Sequence, residues 1–196
     1  MTRTLFLALP LPASLALRLS QSKHFFKNKE AGLEWSSVGN LHVTLYFFGD
    51  VPEEACADLQ NRINEVVAHM QPLELGYECI TFALPERQPR IVWAEFTATE
   101  ALATFHNELA RIGFEALGLP VPHKDFIPHA TLARVAHPEA ISVLDVGMVT
   151  QIEDRIQLGE LKTKKHAITY CELLSSHRSA ASTGAYDLIH KYTFGQ

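Results

Sequence analysis

The chain is short of cysteine, and what it has is poorly placed for a covalent or metal framework. Cys56, Cys79 and Cys171 are odd in number and scattered, with no Cys-x-x-Cys among them. Such a set predicts neither a disulfide scaffold nor a zinc site, and it fits a reducing, cytoplasmic setting. Positive charge is also scarce: 17 Lys and Arg stand against 22 Asp and Glu, a formal net charge of −5 over 196 residues. That balance gives no overall attraction for nucleic acid. It argues against a long duplex as partner, and leaves room for a short or terminal nucleotide held by a few local basic groups. No uninterrupted apolar run is long enough to cross a membrane as a helix. The nearest approach is the opening MTRTLFLALPLPASLALRLS, which has the outline of a secretion signal. Pro10 and Pro12 interrupt it, and Thr4–Leu9 is read instead as a buried strand ended by Pro10.

What is present is ordinary for a globular protein: 47% hydrophobic and 20% charged residues. The length suits a single domain, or two half-domains on one core, and a monomer is expected. A helix is predicted after the first strand, over Pro12–Ser20. Leu41–Phe48 reads as a strand closed by Gly49. Asp50 is placed to cap a helix with Pro52 in its first turn, running to about Met70. The segments PLELGYECITF and RIVWAEFT read as strands, separated by turn-rich sequence. Thr99–Leu117 carries Leu102, Phe105, Leu109 and Ile112 at helical spacing and is ended by Gly118 and Pro120. A strand over FIPHATLAR follows, then a long loop over 135–160, then strands at AITYCELLS and AYDLIHKYTF.

Two strands in this series carry one pattern. His-x-Thr-Leu occurs at His42–Leu45 and again at His129–Leu132. Chance supplies roughly 0.7 His-x-Thr matches in such a composition, and roughly 0.08 once Leu must follow, so the pair is informative where one copy is not. Strand alternation puts Leu41, Val43, Leu45 and Phe47 on a core face, and His42, Thr44 and Tyr46 on the other. In the second copy His129, Thr131 and Ala133 share a face. A lone His-x-Thr is ordinarily the wet face of a half-buried sheet. A metal site fits poorly, because two imidazoles have no third ligand at a recurrent spacing. His24, His69, His106, His166, His177 and His190 are read, with Tyr46, as surface or packing residues.

The chemistry of a facing pair is more productive. Imidazole has an ordinary pKa near 6.5, so one ring can be neutral and another protonated in the same site. Two such rings can act together as general base and general acid. That suits in-line displacement at phosphorus, with hydroxyl donors from threonine on the non-bridging oxygens.

At these residues the chain resembles the two-histidine phosphoesterases, and among them the RNA 2′,3′-cyclic phosphodiesterases, also called 2′-5′ RNA ligases. RTLFLALPLP, NLHVTLYFFGDV, PRIVWAEF, FIPHATLAR and LLSSHRSAASTGAYDLI match family elements in family order. The resemblance implies an α+β fold of two similar lobes, with antiparallel sheets facing a central cleft and helices outside. It implies metal-independent, cofactor-free opening of a 2′,3′-cyclic phosphate to a 2′-phosphate. His129 would be the base for water and His42 the acid on the leaving oxygen. Thr44, Thr131 and Arg134 would contact phosphate. Alternation places Arg134 on the opposite face from His129, so the strand must bend, or Arg134 only packs nearby. Phe47 or Phe48 could stack on a base, although each reads more readily as core. Ala130 stands where a larger apolar residue is common. Basic residues near the cleft are few: Arg87, Arg90, Lys124, Arg134 and Arg178. A short RNA end or small cyclic nucleotide is therefore the expected substrate. The alternatives are a phosphoesterase or reversible ligase for other cyclic or 2′-5′-linked nucleotides, and an inactive RNA-end binder.

Overall fold

Five consecutive buried residues, Leu5 to Leu9, form the middle of β1 (Thr2–Pro10). A strand apolar on both faces must lie inside a sheet that is covered on both sides. Leu5, Leu7 and Leu9 join the main core under the helices, while Phe6 and Ala8 form a small second cluster with Leu174 on the other face. The computed structural model describes residues 1–25, 33–83, 91–135, 158–176 and 186–195. After β1 come α1 (Ala13–Ser20), β2 (Leu33–Trp35), β3 (His42–Pro52), α2 (Cys56–Val67), β4 (Leu73–Ala83) and β5 (Ile91–Phe96). Then follow α3 (Glu100–Leu117), β6 (His129–Val135), a short α4 (Gly159–Lys162), β7 (Lys165–Ile168), β8 (Tyr170–Ser176) and β9 (Tyr186–Thr193).

The strands form one antiparallel sheet of nine, in the order β7-β4-β5-β6-β3-β1-β8-β9, with β2 added beside β6. The order is a palindrome about the β6–β3 seam. β1 lies on β3 as β5 lies on β6, and β8 and β9 answer β4 and β7. At the seam one residue pair is in register, Val43 with Ala130. Each is the residue after a motif histidine, so the two halves meet as a pseudo-dyad. The expected two-lobed α+β architecture is what the strand order gives. The helices supply Leu15 and Leu19, Leu59 and Ile63, and Leu102, Phe105, Leu109 and Ile112 to the core, which lies on the face away from the motif side chains.

The expected α3 is present and ends at Gly118 as read, with Thr99 as its cap rather than its first residue. Thr99 Oγ1 accepts from Leu102 N at 3.3 Å to cap α3, and Gly118 ends it in the left-handed region at φ 66°. Other expectations are corrected. β3 does not stop at Gly49 but continues to Pro52. Gly49 sits at φ 68° beside a register shift, so it makes a bulge rather than an end. Asp50 caps no helix; its carboxylate accepts from Thr4 Oγ1 at 2.6 Å across the strands. The segment AITYCELLS is two strands, broken between Ile168 and Tyr170, and the short β2 is an addition to the expected series. The predicted loop over 135–160 falls mostly outside the described residues, as do Arg87, Arg90, His177 and Arg178.

Close packing of α3 on β3 gives a stability test. A Cβ on Gly113 would lie 2.9 Å from the buried Tyr46 ring. Gly113→Ala improves helix propensity by about 1 kcal/mol, yet the ring has core on its far side in Phe48. We expect a net loss of about 1–2 kcal/mol in denaturant unfolding. A gain in the midpoint would show that the ring yields freely.

Candidate active site

The two motif strands are bent by the same device at the same residue. On β3 the register passes from Ala8↔Thr44 to Leu7↔Tyr46, leaving Leu45 as the extra residue. On β6 it passes from Trp93↔Thr131 to Val92↔Ala133, leaving Leu132 extra. Each bulge advances the side-chain phase by one. The residue five beyond the histidine therefore returns to the histidine's face. On β3 that residue is Phe47, 57% exposed, while Tyr46 is buried. On β6 it is Arg134, which is exposed, while Ala133 is buried. Strict alternation puts Phe47 in the core, Tyr46 and Ala133 on the polar face and Arg134 turned away. The paired bulges reverse all four.

The result is one cleft of about 250 Å³ lined by His42, Thr44, His129, Thr131 and Arg134, the five residues the motifs single out. Antiparallel register around Val43 and Ala130 sets His42 beside Thr131 and Thr44 beside His129. Phe6, Phe47 and Tyr186 close one side, and Glu34, Ser36 and Asn40 another.

Both imidazoles are held in the same way. His42 Nδ1 lies 2.7 Å from the Asn40 carbonyl, and His129 Nδ1 lies 2.8 Å from the Ile127 carbonyl. A carbonyl only accepts, so each Nδ1 carries the hydrogen, and Nε2 is the nitrogen left to exchange protons. Ring packing fixes the planes. His42, Phe6 and Tyr186 form a three-ring cluster, with the His42 centroid 5.3 Å from each of the other two, and His129 lies 4.1 Å from Trp93. Burial pushes the His42 pKa below its ordinary 6.5; the Asn40 carbonyl opposes this, and the charges of His129 and Arg134 add to it. His42 is therefore neutral near pH 7.

His106, read from sequence as a surface or packing residue, has a defined part. Its Nδ1 donates to the carbonyl of Leu45, the bulge residue, at 2.7 Å, and its ring stacks on Phe126 at 4.4 Å. Nothing in the local sequence signals this, because His106 and Leu45 meet only when α3 crosses β3. Among the described residues no group of three His, Cys, Asp or Glu side chains is placed to hold a metal. Nor is any described helix long and apolar enough to cross a membrane.

A family model described as the 2'-5' RNA ligase superfamily matches residues 12–158. The chain belongs to this superfamily. Its two-histidine phosphoesterase character, first suggested by the motif strands, agrees with its relatives. The RNA 2',3'-cyclic phosphodiesterase of Methanothermobacter thermautotrophicus is 24% identical over 172 residues, which span 86% of this chain and 89% of that protein. Among solved structures, TT0787 of Thermus thermophilus superposes with a TM-score of 0.79 at 23% identity, covering 100% of this chain and 98% of that one. E. coli LigT complexed with 3'-AMP gives a TM-score of 0.71 at 22% identity, with both chains covered at 100%. At these identities the structural likeness establishes the superfamily fold.

Proposed function

We propose that this phosphoesterase opens the ribose 2′,3′-cyclic phosphate of a short RNA end, without a metal, and leaves a 2′-phosphate. The observation that carries the reading is the matched pair of imidazoles, each with Nδ1 tied to a backbone carbonyl and Nε2 free, lining one phosphate-sized cleft. Water attacks phosphorus in line with the 3′ oxygen. His129 Nε2 takes the water proton, and His42 Nε2–H donates to the 3′ oxygen as its bond to phosphorus breaks. Thr44, Thr131 and Arg134 donate to the non-bridging oxygens, where charge grows. His42 needs a proton for this role, and burial opposes one. The phosphodiester anion supplies the opposite field when it binds, which favours the protonated ring. The name of the Methanothermobacter relative supports this substrate class.

The test is a product assay on an oligonucleotide ending in a 2′,3′-cyclic phosphate, with chelator present, resolving 2′- from 3′-phosphate ends. The expected product is the 2′-phosphate, at an undiminished rate. A 3′-phosphate would place the leaving oxygen at 2′. A rate lost to chelation and restored by one divalent ion would rule out the proton-transfer scheme.

A further inference from the structure

On the His129 side a second groove adjoins the catalytic cleft, and Thr44, Phe47 and His129 line both spaces. The groove is the larger, at about 560 Å³ against about 250 Å³. The catalytic cleft is smaller than the range of about 300–1,000 Å³ usual for small-molecule sites. The terminal nucleotide, with its cyclic phosphate, ribose and base beside Phe47, takes up a space of that size. The neighbouring unit of an RNA chain must lie elsewhere.

The walls of the groove are chemically suited to that unit. Phe47, 57% exposed, and Ile127, 47% exposed, present apolar surface to the groove. Trp93 and Phe126 add flat surface, and Phe126 is stiffened by the 10° stack on His106. At the rim Lys124 makes no ion pair among the described residues, and Asp125 stands next to it. One cation can meet a backbone phosphate, and one carboxylate can accept from a base amino group or a ribose hydroxyl. Single strands are held by aromatic side chains that stack on bases together with local positive charge on the backbone, and in this acidic chain Lys124 supplies that charge at the groove.

We propose that this groove binds the nucleotide immediately 5′ of the reacting ribose, making the protein a reader of an RNA end rather than of a free cyclic mononucleotide. The inference rests on the cyclic-phosphate reading for the identity of the end, and on the groove's own walls for the second nucleotide. With the terminal nucleotide, base included, in the catalytic cleft and no acceptor nucleoside in hydrolysis, the 5′ neighbour is the unit left to fill the groove.

The experiment compares a nucleoside 2′,3′-cyclic phosphate with a dinucleotide ending in the same group. It adds calorimetric binding of the matching 2′-phosphate products, for wild type, Lys124→Gln and Phe126→Leu. Stacking of one base predicts a kcat/KM at least about tenfold higher for the dinucleotide, and a similar gain in product affinity. Both variants are expected to erase most of that advantage while leaving turnover of the mononucleotide unchanged, which also shows that they fold. Equal kcat/KM and equal affinity for the two lengths in wild type would overturn the proposal. So would an advantage that survives in both variants. If neither substrate is opened, yet the dinucleotide product binds more tightly and the variants abolish the difference, the groove assignment stands and the cyclic-phosphate reading falls.

Discussion

Alanine at His42 or at His129 is expected to lower kcat/KM on a 2′,3′-cyclic phosphate end by about 10²–10⁴-fold. The double variant should be little worse than the poorer single one, because a concerted pair that has lost one member leaves the other little to do. Both rings line the same cleft, and each keeps Nε2 free by giving Nδ1–H to a carbonyl. An activated aryl phosphodiester separates their roles, since its leaving group needs no proton. The variant lacking the acid should recover on that substrate, and the variant lacking the base should not. Recovery of His129→Ala alone would exchange the two assignments. The pH profile follows from the same geometry. Burial holds His42 below its ordinary 6.5, so the acidic limb of kcat/KM lies below that value. Folding lowers this pKa, so the unfolded chain binds more protons in the window up to 6.5. The His42 contribution to stability therefore rises as pH rises through that window. Wild-type turnover in either alanine variant would remove that ring from the chemistry.

Replacing Arg134 with Gln is the second large effect expected, about 10²–10³-fold in kcat/KM, comparable with loss of one preorganised donor to transition-state charge. Lysine should restore only part of it, since a point charge lacks the guanidinium fork. Arg134 also depresses the His42 pKa, so Arg134→Gln should move the acidic limb upward, toward 6.5. An arginine that merely packed beside the site would leave the rate unchanged.

That arginine marks where the sequence stops being legible. The run Leu5–Leu9, the glycine end of α3 and the shared polar face within each His-x-Thr pair are local signals, and these placements are legible from the chain alone. The faces of Tyr46, Phe47, Ala133 and Arg134 do not, because a bulge is a relation between two strands. Leu45 is extra only against β1, and Leu132 only against β5. Each β-branched or aromatic residue along NLHVTLYFFGDV is acceptable in a regular strand, so nothing local announces the added residue. Asp50 misleads for a related reason. It has the composition of a cap, but β1 continues beside it and supplies Thr4 as a partner.

The paired bulges also give the cleft a direction. Nearly everything at its centre is duplicated: two pinned imidazoles, two hydroxyls and two strands meeting at Val43 and Ala130. Such an arrangement by itself accepts a phosphodiester equally well in either orientation. The two fifth positions break that tie, because one half puts a benzene ring there and the other a cation. A ribonucleotide is itself lopsided, with a flat base at one end and anionic oxygens at the other. Duplicated halves that differ at one position can therefore read which way round a strand lies.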